Sequence, residues 1–223
     1  MSRFLGPSLI KKLVMSLAGL FLMIFLLLHL TLNLFILRGD NGELYSTCVK
    51  FMTTNFLVKI MEIVLFGGLF LHILYGIVIQ IQNWISRPVK YKVIHQSQTS
   101  FFSKYMIHTG AIIFAFLAIH LTNFYFVKLG FSNAPQGTLP VAGREDFYPM
   151  AVNLFSHAGY CWLYIAFMVF IAFHMNHAFQ SAFQTLGWNH PIYTPFIKAV
   201  GVIYSFVIGI GFSVVPIYFL FFK

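Results

Sequence analysis

The chain has 223 residues, of which 59% are hydrophobic and only 9% are charged. Five acidic residues cannot solvate a globular surface of this size, so the composition indicates a membrane protein. The formal charge of +9 comes from Lys and Arg residues that stand singly or in small clusters between apolar runs. That pattern favours membrane flanks and anionic lipid over a nucleic-acid-binding face.

Five apolar segments approach or exceed the ~20 residues that cross a bilayer as a helix. They cover residues 13–37, 56–81, 105–127, 157–178 and 196–222. The first segment follows basic residues, as in a signal peptide, but it is too long for a signal h-region, so we expect a retained helix. The sequence therefore predicts one all-α membrane domain over residues 1–223, built as a bundle of five transmembrane helices.

The distribution of Lys and Arg indicates the orientation of this bundle. With the N-terminus inside, eight of the 14 basic residues lie on the inner side. They are Arg3, Lys11, Lys12, Arg87, Lys90, Lys92, Lys104 and Lys198. The bias favours a cytoplasmic N-terminus. Residues 87–104 would then form a basic inner loop that contacts lipid headgroups or a soluble partner, or that is simply solvated.

Several kinds of site are absent from the sequence. Cys48 and Cys161 form no Cys-x-x-Cys pair, which argues against zinc ribbons and covalently attached haem. No arginine cluster could clamp a dicarboxylate, and no flavin motif is present. The charged triplet at residues 144–146 belongs to no catalytic constellation.

Four histidines lie well inside predicted helices: His29, His72, His120 and His174. His29 and His120 come about fifteen residues into outward-running helices, roughly 22 Å from the inner boundary at a rise of about 1.5 Å per residue. His72 and His174 lie on inward-running helices, roughly 5–15 Å from the same boundary. The depths therefore predict an outer pair, His29 with His120, and an inner pair, His72 with His174.

Two histidines from facing helices at one depth are what a six-coordinate b-type haem requires, because neutral imidazoles bind the iron from both faces. The pattern predicts two such haems, about 10–20 Å apart along the membrane normal. A single histidine hydrogen-bonded to a neighbouring helix would need no cofactor, but two matched pairs favour a functional site. Small residues recur near these histidines and would allow close approach of a macrocycle, or equally of another helix. They are Ala18, Gly19, Gly67, Gly68, Gly76, Gly110 and Ala111.

The remaining histidines have weaker claims to a role. His177 lies one turn beyond His174 and is its main rival as a ligand. His108 and His157 begin helices and could contact a propionate, a quinone oxygen or water. His95 and His190 lie in loops and receive no assignment.

Glu62 is the one acidic residue inside a predicted span, ten residues before His72 and nearer the outer surface. A carboxyl group there could exchange protons with a quinone or quinol. The alternative is a structural pair with Lys59, one turn away on the same helix.

Four stretches of the chain resemble, in order, the first four helices of a known family, the cytochrome b membrane-anchor subunits of succinate dehydrogenase and fumarate reductase with five helices and two haems. They are LHLTLNLF (28–35), MEI (61–63) with LHILYG (71–76), TG (109–110) with IHL (119–121), and FHMNHAFQSAFQTLGW (173–188). The resemblance implies that His29 and His120 bind one haem iron and that His72 and His174 bind the other.

The resemblance also implies a respiratory-chain and tricarboxylic-acid-cycle context in a bacterial cytoplasmic membrane. The partners would be a flavoprotein that carries the dicarboxylate site and an iron–sulfur subunit on the inner face, and the electron partner in the membrane would be a quinone, with menaquinone favoured. One alternative is the b-type subunit of another quinone-linked oxidoreductase, which its partner would reveal. A second is a haem-free transporter whose histidines relay protons.

Overall fold

The computed structural model describes residues 8–85, 105–132 and 147–223, and within these ranges the regular structure is helical, with no strand. The helices are α1 (Ser8–Leu34), α2 (Glu43–Thr54), α3 (Phe56–Ile85), α4 (Met106–Asn123), α5 (Tyr125–Leu129), α6 (Phe147–Phe155), α7 (Ala158–Thr185) and α8 (Tyr193–Phe222), with a 3-10 turn at Phe35–Arg38. The basic loop 87–104, its His95, and the charged triplet 144–146 lie outside the described residues.

Five of these segments are long and apolar enough to cross a membrane, which confirms the predicted number. They are α1 with its 3-10 turn, α3, α4 with α5, α7 and α8. Helix α7 continues to Thr185, beyond the predicted end at residue 178. Its last turns contain polar residues such as Gln180 and Gln184, so the hydropathy pattern ended the predicted span too early. The helix stops at Gly187, whose φ of +86° suits glycine.

Two of the connections contain helices that hydropathy does not reveal. Helix α2 begins after Asp40, whose carboxylate accepts hydrogen bonds from the main-chain N–H groups of Gly42 and Leu44 at 3.0 and 3.2 Å. Asn55 then separates α2 from α3, and its side-chain oxygen accepts from the N–H of Leu57 at 2.9 Å, as an N-cap residue does. Helices α2 and α6 pack together through Tyr45 and Tyr148, so this end of the bundle is covered by ordered structure.

Four of the long helices form a ring. Helix α1 is flanked by α3 and α7, and α4 is flanked by α7 and, through a smaller contact, by α3. Consequently α1 lies diagonally opposite α4, and α3 lies diagonally opposite α7. Helix α8 packs outside this ring against α7 and α1, where Gly209 meets Ala172 and Gly211 meets Leu30. Each of the four ring helices carries one of the predicted site histidines.

Candidate cofactor site

His29 and His120, the outer pair, meet across the first diagonal of the ring. Their ring centroids are 5.8 Å apart and their planes are inclined at 81°. Phe25 stacks on His29 at 5.3 Å, and Phe116 stacks on His120 at 5.6 Å. Phe212 of α8 also lies 5.6 Å from His29. The outer pair is therefore enclosed by aromatic rings from three helices.

His72 and His174, the inner pair, meet across the second diagonal. Their ring centroids are 6.4 Å apart and the planes are inclined at 78°. Glycines on the adjoining helices leave room for both rings: a Cβ on Gly19 would lie 3.4 Å from Cε1 of His72, and one on Gly110 would lie 3.7 Å from Cε1 of His174. The structure thus brings the four histidines together in the pairs that their depths predict.

The two pairs lie at different levels of the bundle. On α1, the inner pair adjoins Met15 and Gly19, and the outer pair begins ten residues later at His29. Ten to fourteen residues of α-helix correspond to about 15–21 Å. The labels inner and outer follow the predicted orientation of the chain.

The hydrogen bonds of the inner pair indicate which ring nitrogens carry protons. Nδ1 of His72 lies 3.4 Å from the main-chain oxygen of Met15, and a carbonyl oxygen can only accept, so this Nδ1 is the protonated nitrogen. Nδ1 of His174 lies 3.2 Å from Oγ1 of Thr109, whose own proton is donated to the oxygen of Met106 at 3.0 Å. With the hydroxyl proton on Met106, the hydroxyl oxygen is an acceptor for the Nδ1–H of His174.

Both inner imidazoles then keep an unprotonated Nε2, the form in which histidine binds a metal. Two unprotonated nitrogens cannot hydrogen-bond to each other, so the pair is not explained by a direct His–His hydrogen bond. Metal-binding histidines almost always donate their other N–H to a neighbouring acceptor. His72 and His174 both follow that pattern.

The outer pair differs in its polar surroundings. Nδ1 of His120 is buried and has no hydrogen-bond partner among the described residues. One turn further along α4, Asn123 donates to the hydroxyl oxygen of Tyr164 at 3.3 Å, and the Tyr164 ring lies 6.3 Å from that of His120. An unpaired buried nitrogen costs free energy, so this imidazole is not explained as a hydrogen-bonded packing residue.

The separation of each pair suits two imidazoles that would hold one haem iron between them. Two imidazoles that hold one metal atom between them would have centroids about 6.3 Å apart, given a metal–nitrogen bond of about 2.0–2.1 Å and about 1.1 Å from nitrogen to ring centre. The observed 5.8 and 6.4 Å bracket this value. Packed aromatic rings without a metal show similar separations, about 4.5–7 Å, so distance alone does not distinguish a haem site from aromatic packing. The hydrogen bonds at Nδ1 of His72 and His174 are the additional observation that favours a metal-binding role.

No group of three or more His, Cys, Asp and Glu side chains that could hold a metal ion occurs in the described part of the chain. Haem iron needs only two protein ligands, because the porphyrin supplies the other four. The residues present therefore fit haem better than a bare metal ion, and haem binding itself stays a prediction.

Glu62 is paired differently from the expected alternative. Its carboxylate lies 3.5 Å from Nζ of Lys128, in the short helix α5, whereas Lys59 is exposed. The hydroxyl of Tyr125 hydrogen-bonds to the same carboxylate, and Nζ of Lys128 lies over the Tyr125 ring at 5.4 Å. Phe66 packs against Tyr125 at 4.8 Å. The lysine and the tyrosine were missed because they are more than sixty residues away in sequence.

The other described histidines make no ring contact with either pair, although His177 lies close enough to His174 to interact with it electrostatically. The imidazole of His72 contacts the imidazole of His174. His177, the alternative ligand on α7, does not make this contact. His108 lies beside Tyr105 at 5.7 Å, and His157 precedes α7 as its N-terminal flanking residue. His190 accepts a hydrogen bond at Nδ1 from the N–H of Ile192 in the connection before α8.

Comparison of the chain with protein-family models, with curated proteins and with solved structures finds no match. The family resemblance noted in the sequence therefore stays a prediction.

Proposed function

We propose that the chain is the dihaem cytochrome b membrane-anchor subunit of a succinate:quinone oxidoreductase, transferring electrons between an iron–sulfur subunit and a membrane quinone. The observation that carries the proposal is the meeting of four intramembrane histidines as two facing pairs at different levels of one bundle. Two pairs built on both diagonals of the ring are hard to explain as isolated packing histidines.

His29 and His120 would hold one haem b, and His72 and His174 the other. Haem b, when bound, supplies a one-electron ferric–ferrous couple. The chain itself presents neutral imidazoles, encloses them in apolar and aromatic side chains, and fixes ring orientation through Met15 and Thr109. The spacing of the two levels, about 15–21 Å by helix rise, covers much of a hydrocarbon core of about 30 Å.

The quinone would be bound near Glu62, in the second turn of α3 and, by helix rise, at about the level of the outer pair. The Glu62 carboxylate is partly shielded, with 28% of its side chain exposed, and is held by Lys128 and Tyr125. A carboxylate with an adjacent ammonium and phenol can take up or deliver the protons that accompany quinone turnover. Lys128 and Tyr125 would orient it.

The proposed setting is a bacterial cytoplasmic membrane with the N-terminus inside. A flavoprotein carrying the dicarboxylate site and an iron–sulfur subunit would bind at the inner end, nearest His72 and His174. The chain would not bind succinate itself, because its sequence contains neither an arginine cluster nor a flavin motif.

Affinity purification of the tagged full-length chain from its host membranes tests this function. We expect succinate- or fumarate-active flavoprotein and iron–sulfur subunits to co-purify, with a reduced-minus-oxidised spectrum of b-type haem. Co-purification of haem with subunits of a hydrogenase or formate dehydrogenase would instead establish the other redox reading. Purified protein without haem, active in pH-dependent transport in liposomes, would refute the cytochrome proposal.

A further inference from the structure

Thr109 stands in a position to act on one histidine through its hydroxyl group. It lies in the first turn of α4, and its Oγ1 is 3.2 Å from Nδ1 of His174. Its proton is already donated to the main-chain oxygen of Met106 at 3.0 Å. In this arrangement the hydroxyl oxygen accepts from His174, which favours the Nδ1–H tautomer of this imidazole with Nε2 unprotonated.

The contact is distinctive among the four site histidines. His72 donates to a main-chain carbonyl, which no side-chain substitution removes, and Nδ1 of His120 has no partner among the described residues. Gly110 adjoins Thr109 and brings the α4 backbone close to the His174 ring. The orientation of His174 thus depends on two consecutive residues of a helix 65 positions away.

We propose that Thr109 is a positioning residue that fixes the tautomer and orientation of His174 and lowers the reduction potential of the haem held by the inner pair. The inference rests on the proposed function. A histidine that donates its second N–H is a more basic ligand. A more basic ligand stabilises ferric iron more than ferrous iron, and the potential falls as a result.

Potentiometric titration of haem in the full-length chain tests the role of Thr109. Thr109→Val removes the acceptor at nearly constant volume, Thr109→Ser retains it, and Thr122→Val is the matched control. Thr122 lies on the same helix, is exposed, and bonds only to the oxygen of Ala118 in the described structure. A His174→Ala spectrum identifies which signal belongs to the inner haem.

We expect Thr109→Val to shift the inner haem towards the ferrous form by up to about tenfold, equivalent to about 59 mV for one electron, or to release that haem. In Thr109→Ser and Thr122→Val, the inner haem should have the same reduction potential as in the wild type. The potential of the outer haem should be unchanged in every variant, which would show that the bundle is folded. Equal inner potentials in Thr109→Val and Thr122→Val, or a serine variant that behaves like the valine variant, would overturn the inference. Absence of haem from the wild type would instead refute the proposed function.

Discussion

The imidazole rings of His72 and His174 face each other across the helix ring with centroids 6.4 Å apart, and Nδ1 of each is hydrogen-bonded to a residue outside the pair. The hydrogen bonds to Met15 and Thr109 bear on which nitrogen of each ring is free to bind a metal. When each neutral ring donates its one N–H in these bonds, both Nε2 atoms are unprotonated and can bind a metal. The haem proposed for the inner level would be held by these two nitrogens.

Substitution of Gly19 tests whether the His72 ring needs the space that this glycine leaves. A Cβ at this position would already lie 3.4 Å from Cε1 of His72, so the branches of valine would displace the ring. We expect Gly19→Val to reduce haem content by one per chain, with the outer haem retained. Gly67→Val on α3 is the control, because no atom lies within 4 Å of a Cβ there. Retention of both haems by Gly19→Val would contradict this packing argument, and pyridine-haemochrome quantitation measures it.

Substitution of Glu62 tests whether its carboxylate exchanges protons with a quinone, as proposed. Glu62→Gln keeps the size of the side chain but cannot exchange protons, and general acid–base catalysis contributes about 10²–10⁴-fold. We expect quinone turnover by the purified complex to fall by about 100-fold or more, with haem content unchanged. The matched control is Glu43→Gln, an exposed acid in the first turn of α2. Unchanged turnover in Glu62→Gln would restrict Glu62 to a structural ion pair with Lys128.

Substitution of Gly209 tests how closely α8 packs against α7. A Cβ on this residue would lie 2.9 Å from the Cβ of Ala172 on α7, closer than two such atoms pack. Gly209→Ala should force the two helices apart and cost about 1–3 kcal/mol, as overpacking does. Thermal denaturation in detergent should show a lower midpoint for Gly209→Ala and no loss for Gly67→Ala, which points into open space. Equal midpoints would mean that the α7–α8 contact adjusts without cost.

The long helices were predictable because a bilayer demands about 20 apolar residues for each crossing, and that signal is local in sequence. The levels of the histidines were predictable for a similar reason, since the rise per residue of a helix is fixed. Helices α2 and α6 were not, because their formation depends on caps such as Asp40 and on tertiary packing between Tyr45 and Tyr148. Hydropathy does not report either effect.

Partners from distant segments escape sequence reasoning for a related reason. Lys59 is the nearest base to Glu62 along α3, yet Lys128 pairs with it because α5, which continues the span of α4, lies beside the first turns of α3. The contact between Thr109 and His174 joins residues 65 positions apart, and no periodicity links them. Helix periodicity places a side chain on a face, but the identity of its partner is set by how the helices pack.

Haem quantitation in single histidine variants tests the central claim most directly. Pyridine-haemochrome analysis of the purified wild type should give two haems b per chain. His29→Ala and His120→Ala should lose the same haem, His72→Ala and His174→Ala should lose the other, and His177→Ala, the rival on α7, should keep both. A wild type without haem, or a single haem indifferent to either pair, would contradict the two-level cytochrome and leave the histidines with a packing or proton-relay role.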